Sequence, residues 1–419
     1  MRATERSVKN STPTTGRPVG LLCARLQLPD ATGYDVLHQA GVLASAGYSV
    51  RIFAESFSPA AAAESSVPVS DLRELLSAGT EESSHFLSSP QSIAIYHYAV
   101  YSSALLSVLQ QLRCRKVLRY HNVTPPEFFE PYDRGISALL RAGRELLPAH
   151  LAAGVDLVLG ASSENLRDLE RLTAADAGVR VPGRVGAPFH RVPELLEPGD
   201  ESKGRGAGDV DPTWLRQLGD GTANLLTVGR LAPNKGYAAL LRAFALLVDR
   251  MSGTRDCRLI LAGGPDARLH RYYAELRAII ESAGLESRVW IVGSGTLAEL
   301  RALYQSADLL LAPSEHEGFC LPLVEAMAHG LPIVAHAAAA IPETLGDAGL
   351  LVESSPTDAH TQAFADPVAL ALSCQKLLSD SQLYRKLAAN GRARYAARFT
   401  NDAIAAGFHD SIAALAELA

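Results

Sequence analysis

Along most of this 419-residue chain one pattern returns: a short apolar run, a turn carrying glycine or proline, then a longer stretch with helical spacing. A strand covered on both faces reads as a continuous apolar run, and the helical stretch after it supplies the cover. The alternation therefore predicts βαβ units built around parallel sheets. In the first half the strand candidates are PVGLLCARL, SVRIFAE, SIAIYHY, RKVLRYH and VDLVLGAS, with helical stretches such as DVLHQAGVLASAG and RGISALLRAGRELL between them. A second series follows in NLLTVGRL, CRLILAGGP, RVWIVGSG, ADLLLAPS, LPIVAH and AGLLVES. Between the two series, EPGDESKGRGAGDVDP at residues 197–212 replaces apolar periodicity with Gly, Pro and charge, and reads as a linker. The expected architecture is α/β, with two doubly wound domains at 17–196 and 213–399 facing each other across a cleft. No internal repeat is visible beyond this shared plan.

Length agrees, since so long a chain exceeds what one hydrophobic core usually supports. A content of 47% hydrophobic and 20% charged residues suits a core-forming enzyme and excludes disorder as the main theme. The net charge of −6 gives no general attraction to nucleic acid, and no apolar run is long enough to cross a bilayer as a helix. Cys23, Cys114, Cys257, Cys320 and Cys374 are scattered singly, without CxxC or Cys/His spacing. Neither a disulfide framework nor a zinc site is indicated, and a reducing cytoplasm fits best. The opening MRATERSVKNSTPTTG, residues 1–16, lacks the apolar centre of a secretory signal and reads as a disordered tail.

In open α/β sheets ligands bind outside the carboxyl ends of the strands, so the residues just after strands come first. In GRLAPNKG, Gly229, Arg230 and Lys235 follow the strand NLLTV. A guanidinium and an ammonium on such a loop suit the oxygens of a diphosphate; the alternative is a pair of solvated loop charges. After ADLLLAPS comes EHEGFCLPLVEAMAHG, with Glu317, a turn at Gly318, and a helical run from near Leu321 closed by His329 and Gly330. Free N–H groups at that helix start suit a phosphate or sugar oxygen, while Glu317 and Glu325 can accept from hydroxyls. Taken singly, Glu317 also reads as a favourable charge near a helix start and Glu325 as part of a solvated helix face.

EHEGFCLPLVEAMAHGLPIVA resembles the E-x7-E segment of retaining GT-B glycosyltransferases, above all glycosyltransferase family 4. LLTVGRLAPNKG resembles that family's phosphate-binding loop, and RVWIVGSGTLAELRALYQSADLLLAPS the sheet and helix leading into the glutamate motif. IPETLGDAGLLVES and YRKLAANGRARYAARF resemble its continuation, so the likeness covers nearly the whole second half. In the first half, LPDATGYDVLHQAGVLASAGYSVRIFAE resembles the first strand, glycine loop and helix, with Gly33 where backbone nears the donor phosphates. KVLRYHNVTPPEFF resembles a subgroup with an HN-x-TP segment, placing His121 at a strand end that faces the cleft; YHYAVYSS, with His97, is similar.

The resemblance implies the GT-B fold and a nucleotide-sugar donor, UDP- or GDP-linked, with no cofactor. Arg230 and Lys235 would neutralise the diphosphate, aided by N–H groups of the Gly33 loop. Gly229 and Gly293 would line the donor site, and Glu325 would bind the ribose hydroxyls. Glu317 would contact the donor sugar, with the main chain from Gly318 through Phe319 and Cys320 to Leu321 in support. Here the chain departs from the family, which commonly has glycine at the position of Cys320. His121 would contact the transferred sugar, and as in this fold family the segment after Phe399, about 400–419, would cross back to the first domain.

The expected chemistry is departure of a nucleoside diphosphate from an anomeric carbon, with fixed cations and N–H groups stabilising charge on the leaving oxygen. No acidic cluster for a metal follows a strand. The acceptor would be a hydroxyl on a glycan or lipid-linked molecule, in envelope polysaccharide or glycolipid assembly. The basic group RCRKVLRYH suggests peripheral contact with the inner face of a membrane, or simply a strand with solvated flanks. Alternatives are a nucleotide-sugar epimerase of the same fold and a catalytically silent nucleotide-binding scaffold.

Overall fold

The computed structural model describes residues 16–28, 30–76, 85–174, 182–191, 195–196, 216–354 and 364–417. The tail expected at 1–16, apart from Gly16, and the linker expected at 197–212 lie outside the described residues.

The first domain is built on β1 (Pro18–Leu26), β2 (Ser49–Phe57), β3 (Val69–Asp71), β4 (Ile93–Tyr98), β5 (Arg115–Tyr120), β6 (Leu157–Gly160) and β7 (Gly183–Val185). These lie side by side in the order β3-β2-β1-β4-β5-β6-β7, and every pairing is parallel. The second holds β8 (Ala223–Val228), β9 (Cys257–Ala262), β10 (Val289–Gly293), β11 (Leu309–Ala312), β12 (Ile333–His336) and β13 (Gly349–Val352). Their order is β10-β9-β8-β11-β12-β13, again parallel throughout. All eleven strand candidates form strands. The edge strands β3 and β7 are additions, three residues long and too short for a readable period.

Why these runs become strands is visible in their burial. Every residue of β4 and of β9 is buried, because helices cover both sheet faces. In each sheet the strand order reverses direction once, between β1 and β4 and between β8 and β11. That reversal opens a crevice at the carboxyl ends of the two strands, the usual place for a ligand in such sheets.

The chain crosses between the domains again near its end. Helix Ser381–Arg398 packs on helix Leu321–His329 of the second domain, and after Phe399 helix Asn401–Glu417 returns to the first. Ile404, Phe408, Ile412 and Leu415 of that helix share one core with Val19, Leu21, Ile52 and Ile95. The crossing is pinned to the 186–190 segment: the His190 Nε2 ring nitrogen meets the Phe399 carbonyl at 2.8 Å, and Asn401 Nδ2 donates to the His190 carbonyl at 3.4 Å. Because Ile412 is fully buried, Ile412→Ala should lower the unfolding free energy by about 2–5 kcal/mol. Urea denaturation of the full chain checks this; a loss below about 1 kcal/mol would show that the helix does not complete the core.

Candidate functional site

In the second domain the crevice between β8 and β11 is assembled from two loops. After β8 the chain makes a short turn at Pro233–Lys235, ended by Gly236 with φ of +69°. A Cβ there would lie 2.1 Å from the Pro313 carbonyl oxygen, so only glycine lets the β8 loop press against the exit of β11. That contact brings Lys235 and Glu317 together. Lys235 Nζ donates to Glu317 Oε1 at 2.5 Å, and both side chains are largely buried. Asn234 ties the loops further, its carbonyl accepting from Glu315 N–H at 2.9 Å and its amide donating to the His316 carbonyl at 3.1 Å.

Arg230 is exposed and makes no ion pair among the described residues. It lines a cavity of about 500 Å³ together with Gly229 and Gly293. At Gly263, on the same wall, a Cβ would come within 1.9 Å of the Gly229 carbonyl oxygen, so bare backbone forms this surface. Arg230 and Lys235 thus share a loop but differ in state: one is held by Glu317, the other faces solvent.

Glu325 sits on helix Leu321–His329, half-buried and not on a solvated face. Its Oε2 accepts from the Tyr304 hydroxyl at 2.5 Å, while His329 stacks on Tyr304 at 5.0 Å. Burial pushes the Glu325 carboxyl upward, against the pull of the Tyr304 hydrogen bond. Glu325 and Leu321 line a cleft of about 740 Å³ whose opposite wall includes Asp30, Tyr34 and Arg191 of the first domain. Arg191 lies over the Tyr34 ring at 4.3 Å.

Cys320, immediately before this helix, has φ of +72° and ψ of 72°. This is the left-handed region, which explains why a glycine would be natural here. The side chain is accommodated in the core beside Phe319, and burial raises its thiol well above the usual range. The N–H groups of Phe319, Cys320 and Leu321 have no acceptor among the described residues. The Phe319 carbonyl, by contrast, is occupied by the Thr344 hydroxyl at 2.8 Å.

Gly318 faces the other domain. Its carbonyl accepts from the Ser162 hydroxyl at 2.8 Å, and a Cβ would stand 2.7 Å from Asn122 Cβ. Beside it Asn122 Nδ2 meets His316 Nε2 at 2.8 Å. Gly33 lies inside the first turn of helix Ala31–Ser45, with its N–H taken by Asp30 Oδ2 at 3.2 Å and the Gln27 carbonyl where a Cβ would go. The Asp30 side chain already caps that N–H, so Gly33 itself offers no free donor.

His121 follows β5, and its ring is mostly buried. Its Nε2 lies 2.9 Å from Nδ1 of His97, on β4, and 3.8 Å from Oδ2 of Asp35. Burial lowers the His121 imidazolium pKa to about 4 and holds His97 well below its ordinary value. Asp35 is fully buried. Burial alone would raise its carboxyl, yet Arg119 and the neighbouring groups hold it at about 2. Arg119 Nε donates to Asp35 Oδ2 at 2.9 Å. Among the described residues, Asp35, His97 and His121 are a group whose potential metal ligands converge, within 4.8 Å.

Sequence reasoning missed Asp35, Arg119 and Tyr304; the one available signal was a carboxylate amid the apolar face Val36, Leu37 and Ala40. The basic group on β5 is largely spent internally: Arg119 on Asp35, Arg115 on Asp156 at 3.0 Å, and Lys116 Nζ on the Ala153 carbonyl at 2.6 Å. All five cysteines are free and buried. No described helix is long and apolar enough to cross a membrane.

Residues 222–380 match the family model described as glycosyl transferases group 1. A D-inositol 3-phosphate glycosyltransferase of Corynebacterium glutamicum is 31% identical over 231 residues, covering 53% of this chain and 51% of that protein. One from Corynebacterium diphtheriae is 35% identical over 177 residues, covering 41% and 38%. The chain thus spans about half the length, or less, of these curated relatives. Among solved structures, Anabaena HepE in complex with UDP and glucose superposes with a TM-score of 0.70 at 19% identity, over 95% of this chain and 100% of that one. Sucrose-phosphate synthase from Thermosynechococcus elongatus gives 0.67 at 20% identity, over 96% and 100%. The fold is GT-B: two Rossmann-like domains across a cleft.

Two outcomes follow from the loop carrying Glu317. If the left-handed backbone at Cys320 is strained by its Cβ, Cys320→Gly should be more stable than Cys320→Ala by about 1 kcal/mol in urea melts. Equal stabilities would mean the backbone relaxes. Glu315 is half-buried, and burial pushes its carboxyl from 4.5 up to about 7. The folded chain then keeps a proton that the unfolded chain releases, so this group's contribution to stability declines as pH rises from about 4.5 to about 7. Glu315→Gln should raise the urea midpoint at pH 8 and leave it nearly unchanged at pH 4; equal shifts at both would refute the assignment.

Proposed function

We propose that this protein is a metal-independent, retaining glycosyltransferase. It moves a sugar from a nucleoside-diphosphate sugar, UDP-linked in the first instance, to a hydroxyl of a polyol or glycan. The observation that carries this reading is the Lys235–Glu317 contact at 2.5 Å, where loops from β8 and β11 meet in the interdomain crevice. A cation for phosphate and a carboxylate for hydroxyls are held at one point by two independent loops. A ligand with both anionic and polyol parts matches that pairing, and a sugar nucleotide is such a ligand.

Several features support the reading. The matched family model spans the segment that carries both loops. HepE binds UDP and glucose on the same fold, and the relatives named above are called D-inositol 3-phosphate glycosyltransferases. In the proposed reaction the bond from the anomeric carbon to the diphosphate oxygen breaks and negative charge grows on that oxygen. Arg230, Lys235 and the N–H groups of Phe319, Cys320 and Leu321 are the donors available to meet it. Glu325, held by Tyr304, accepts from ribose hydroxyls. Glu317 holds the sugar's hydroxyls, and the leaving phosphate takes the acceptor's proton as attack proceeds on the same face. Closure of the two domains excludes water.

Calorimetric titration with UDP, GDP and ADP, with and without magnesium, tests this. UDP should bind most tightly and independently of magnesium. Glu325→Ala should weaken it about tenfold, roughly one lost hydrogen bond to a charged group. Lys235→Ala should cut transfer by about a hundredfold. Binding of none of the three, or full activity in both variants, would overturn the proposal.

A further inference from the structure

His97 and His121 meet through one ring nitrogen each, Nδ1 of His97 and Nε2 of His121, 2.9 Å apart, with the rings stacked at a 24° interplanar angle. Two N–H groups cannot face each other at that distance, and burial disfavours the charged form of either ring, so the contact carries one proton and there are two ways to place it. If the proton sits on His121 Nε2, His97 must accept at Nδ1 and carry its own proton at Nε2. That nitrogen is buried without a partner. An N–H group would then be sealed from both protein and water, the rarer and costlier outcome. If the proton sits on His97 Nδ1, only a bare ring nitrogen is sealed in. His121 then accepts at Nε2 and holds its proton at Nδ1.

That Nδ1 is not sealed in this way. The His121 side chain keeps 10% of its surface, and Nδ1 is neither bonded to a described residue nor among the buried atoms lacking a partner. The other neighbours agree. Asp35 Oδ2, at 3.8 Å, is beyond hydrogen-bond reach of His121 Nε2 and already receives Arg119 Nε, while Asp35 Oδ1 receives the Phe189 N–H at 2.9 Å. The carboxylate therefore does not call for a proton from His121. The same guanidinium argues against a metal ion among Asp35, His97 and His121, since a divalent cation would share one carboxylate oxygen with a buried positive charge.

We infer that His97 is a positioning residue that fixes His121 in the Nδ1–H form, so that His121 presents a hydrogen-bond donor, and not a base, to the ligand in the cleft. The tautomer stands on the 2.9 Å contact and the buried, partnerless Nε2 of His97. That the ligand is the transferred sugar, with His121 donating to one of its oxygens, rests on the function proposed above.

The test is nitrogen NMR of the full chain labelled with 15N-histidine, ligand-free near pH 7.5, with His121 assigned by the signal lost in His121→Gln. The expected result is a protonated Nδ1 and an imine-type Nε2 on His121. In His97→Asp, which puts an acceptor in place of the donor, the proton should move to Nε2, whereas in His97→Phe, which leaves Nε2 against an apolar ring, it should stay on Nδ1 with an Nε2 signal that has lost its hydrogen bond. In His97→Asn, whose amide can place an N–H near the former Nδ1, it should also stay on Nδ1. A protonated Nε2 in the wild type, an unchanged tautomer in His97→Asp, or one equivalent of zinc shifting both histidines together would each overturn the inference. In the transfer assay His97→Asp should lose about tenfold in kcat with the donor KM unchanged, restored by His97→Asn. Full transfer by His97→Asp would overturn the chemical role. The expected NMR result with no transfer from any nucleotide sugar would sustain the tautomer and overturn only the function.

Discussion

The fully buried carboxylate of Asp35 is the contact on which the first domain's face of the cleft depends. A charge taken out of water must be matched, and breaking such a pair costs about 3–5 kcal/mol. Here the match is made by chain segments far apart in sequence. Arg119 Nε comes from β5, the Phe189 N–H from the segment between the domains, and Arg119 Nη1 continues to the Gly186 carbonyl at 2.6 Å. One carboxylate thereby fixes the first helix, the strand that delivers His121 and the start of the crossing to the second domain. The histidine pair beside it inherits that rigidity, since neither ring can turn without disturbing a neighbour that is itself held.

Contacts between the domains are of another kind. Asn122 to His316, Ser162 to the Gly318 carbonyl, Tyr132 to Glu275 at 2.8 Å, and Ser163 to Glu343 through both its N–H and its hydroxyl are polar, each exchanging for water at a net cost of only about 0.5–1.5 kcal/mol. Beside them Phe128 and Phe129 are buried in one core with Leu231 and Tyr237 of the second domain, so the seam is part polar and part apolar. Two residues at this seam, Asn122 and Cys320, have φ of +72°. Left-handed backbone at non-glycine positions persists only where surrounding packing over-determines it, and it is common where a ligand is clamped.

How much of this could be read in advance depended on the range of the signal. The strands were legible because a doubly covered strand declares itself locally: β9, from Cys257 to Ala262, is apolar except for Arg258 and buried throughout. The positions of Arg230, Lys235, Glu317 and Glu325 were legible because they follow strands or open a helix. Their partners were not. Nothing local in the sequence says that Lys235 reaches Glu317 across 82 residues, or that Tyr304 binds Glu325. Arg119 read as one member of a basic run, yet strand alternation alone could not say that it turns inward to Asp35. At Gly33 the close packing on the Gln27 carbonyl, which by itself requires a glycine, was equally illegible, because it joins the loop after β1 to the helix it precedes.

The Lys235–Glu317 pair raises a last physical question, since a cation meant for phosphate is already neutralised by a carboxylate. Without a partner, an ammonium and a carboxylate so enclosed would each carry a desolvation penalty in the empty cleft. Pairing offsets part of that penalty and aims both groups at the same point. On the proposed reading, a diphosphate competes for Lys235 with two or more oxygens of higher charge, and each share it takes releases Glu317 oxygen for sugar hydroxyls. Phosphate and sugar recognition are then coupled through one hydrogen bond: a bare sugar meets a carboxylate that is still engaged, and a bare anion meets its charge. Only a ligand carrying both parts replaces the pair in full, and that exchange favours the intact nucleotide sugar over either fragment before Arg230 makes any contact.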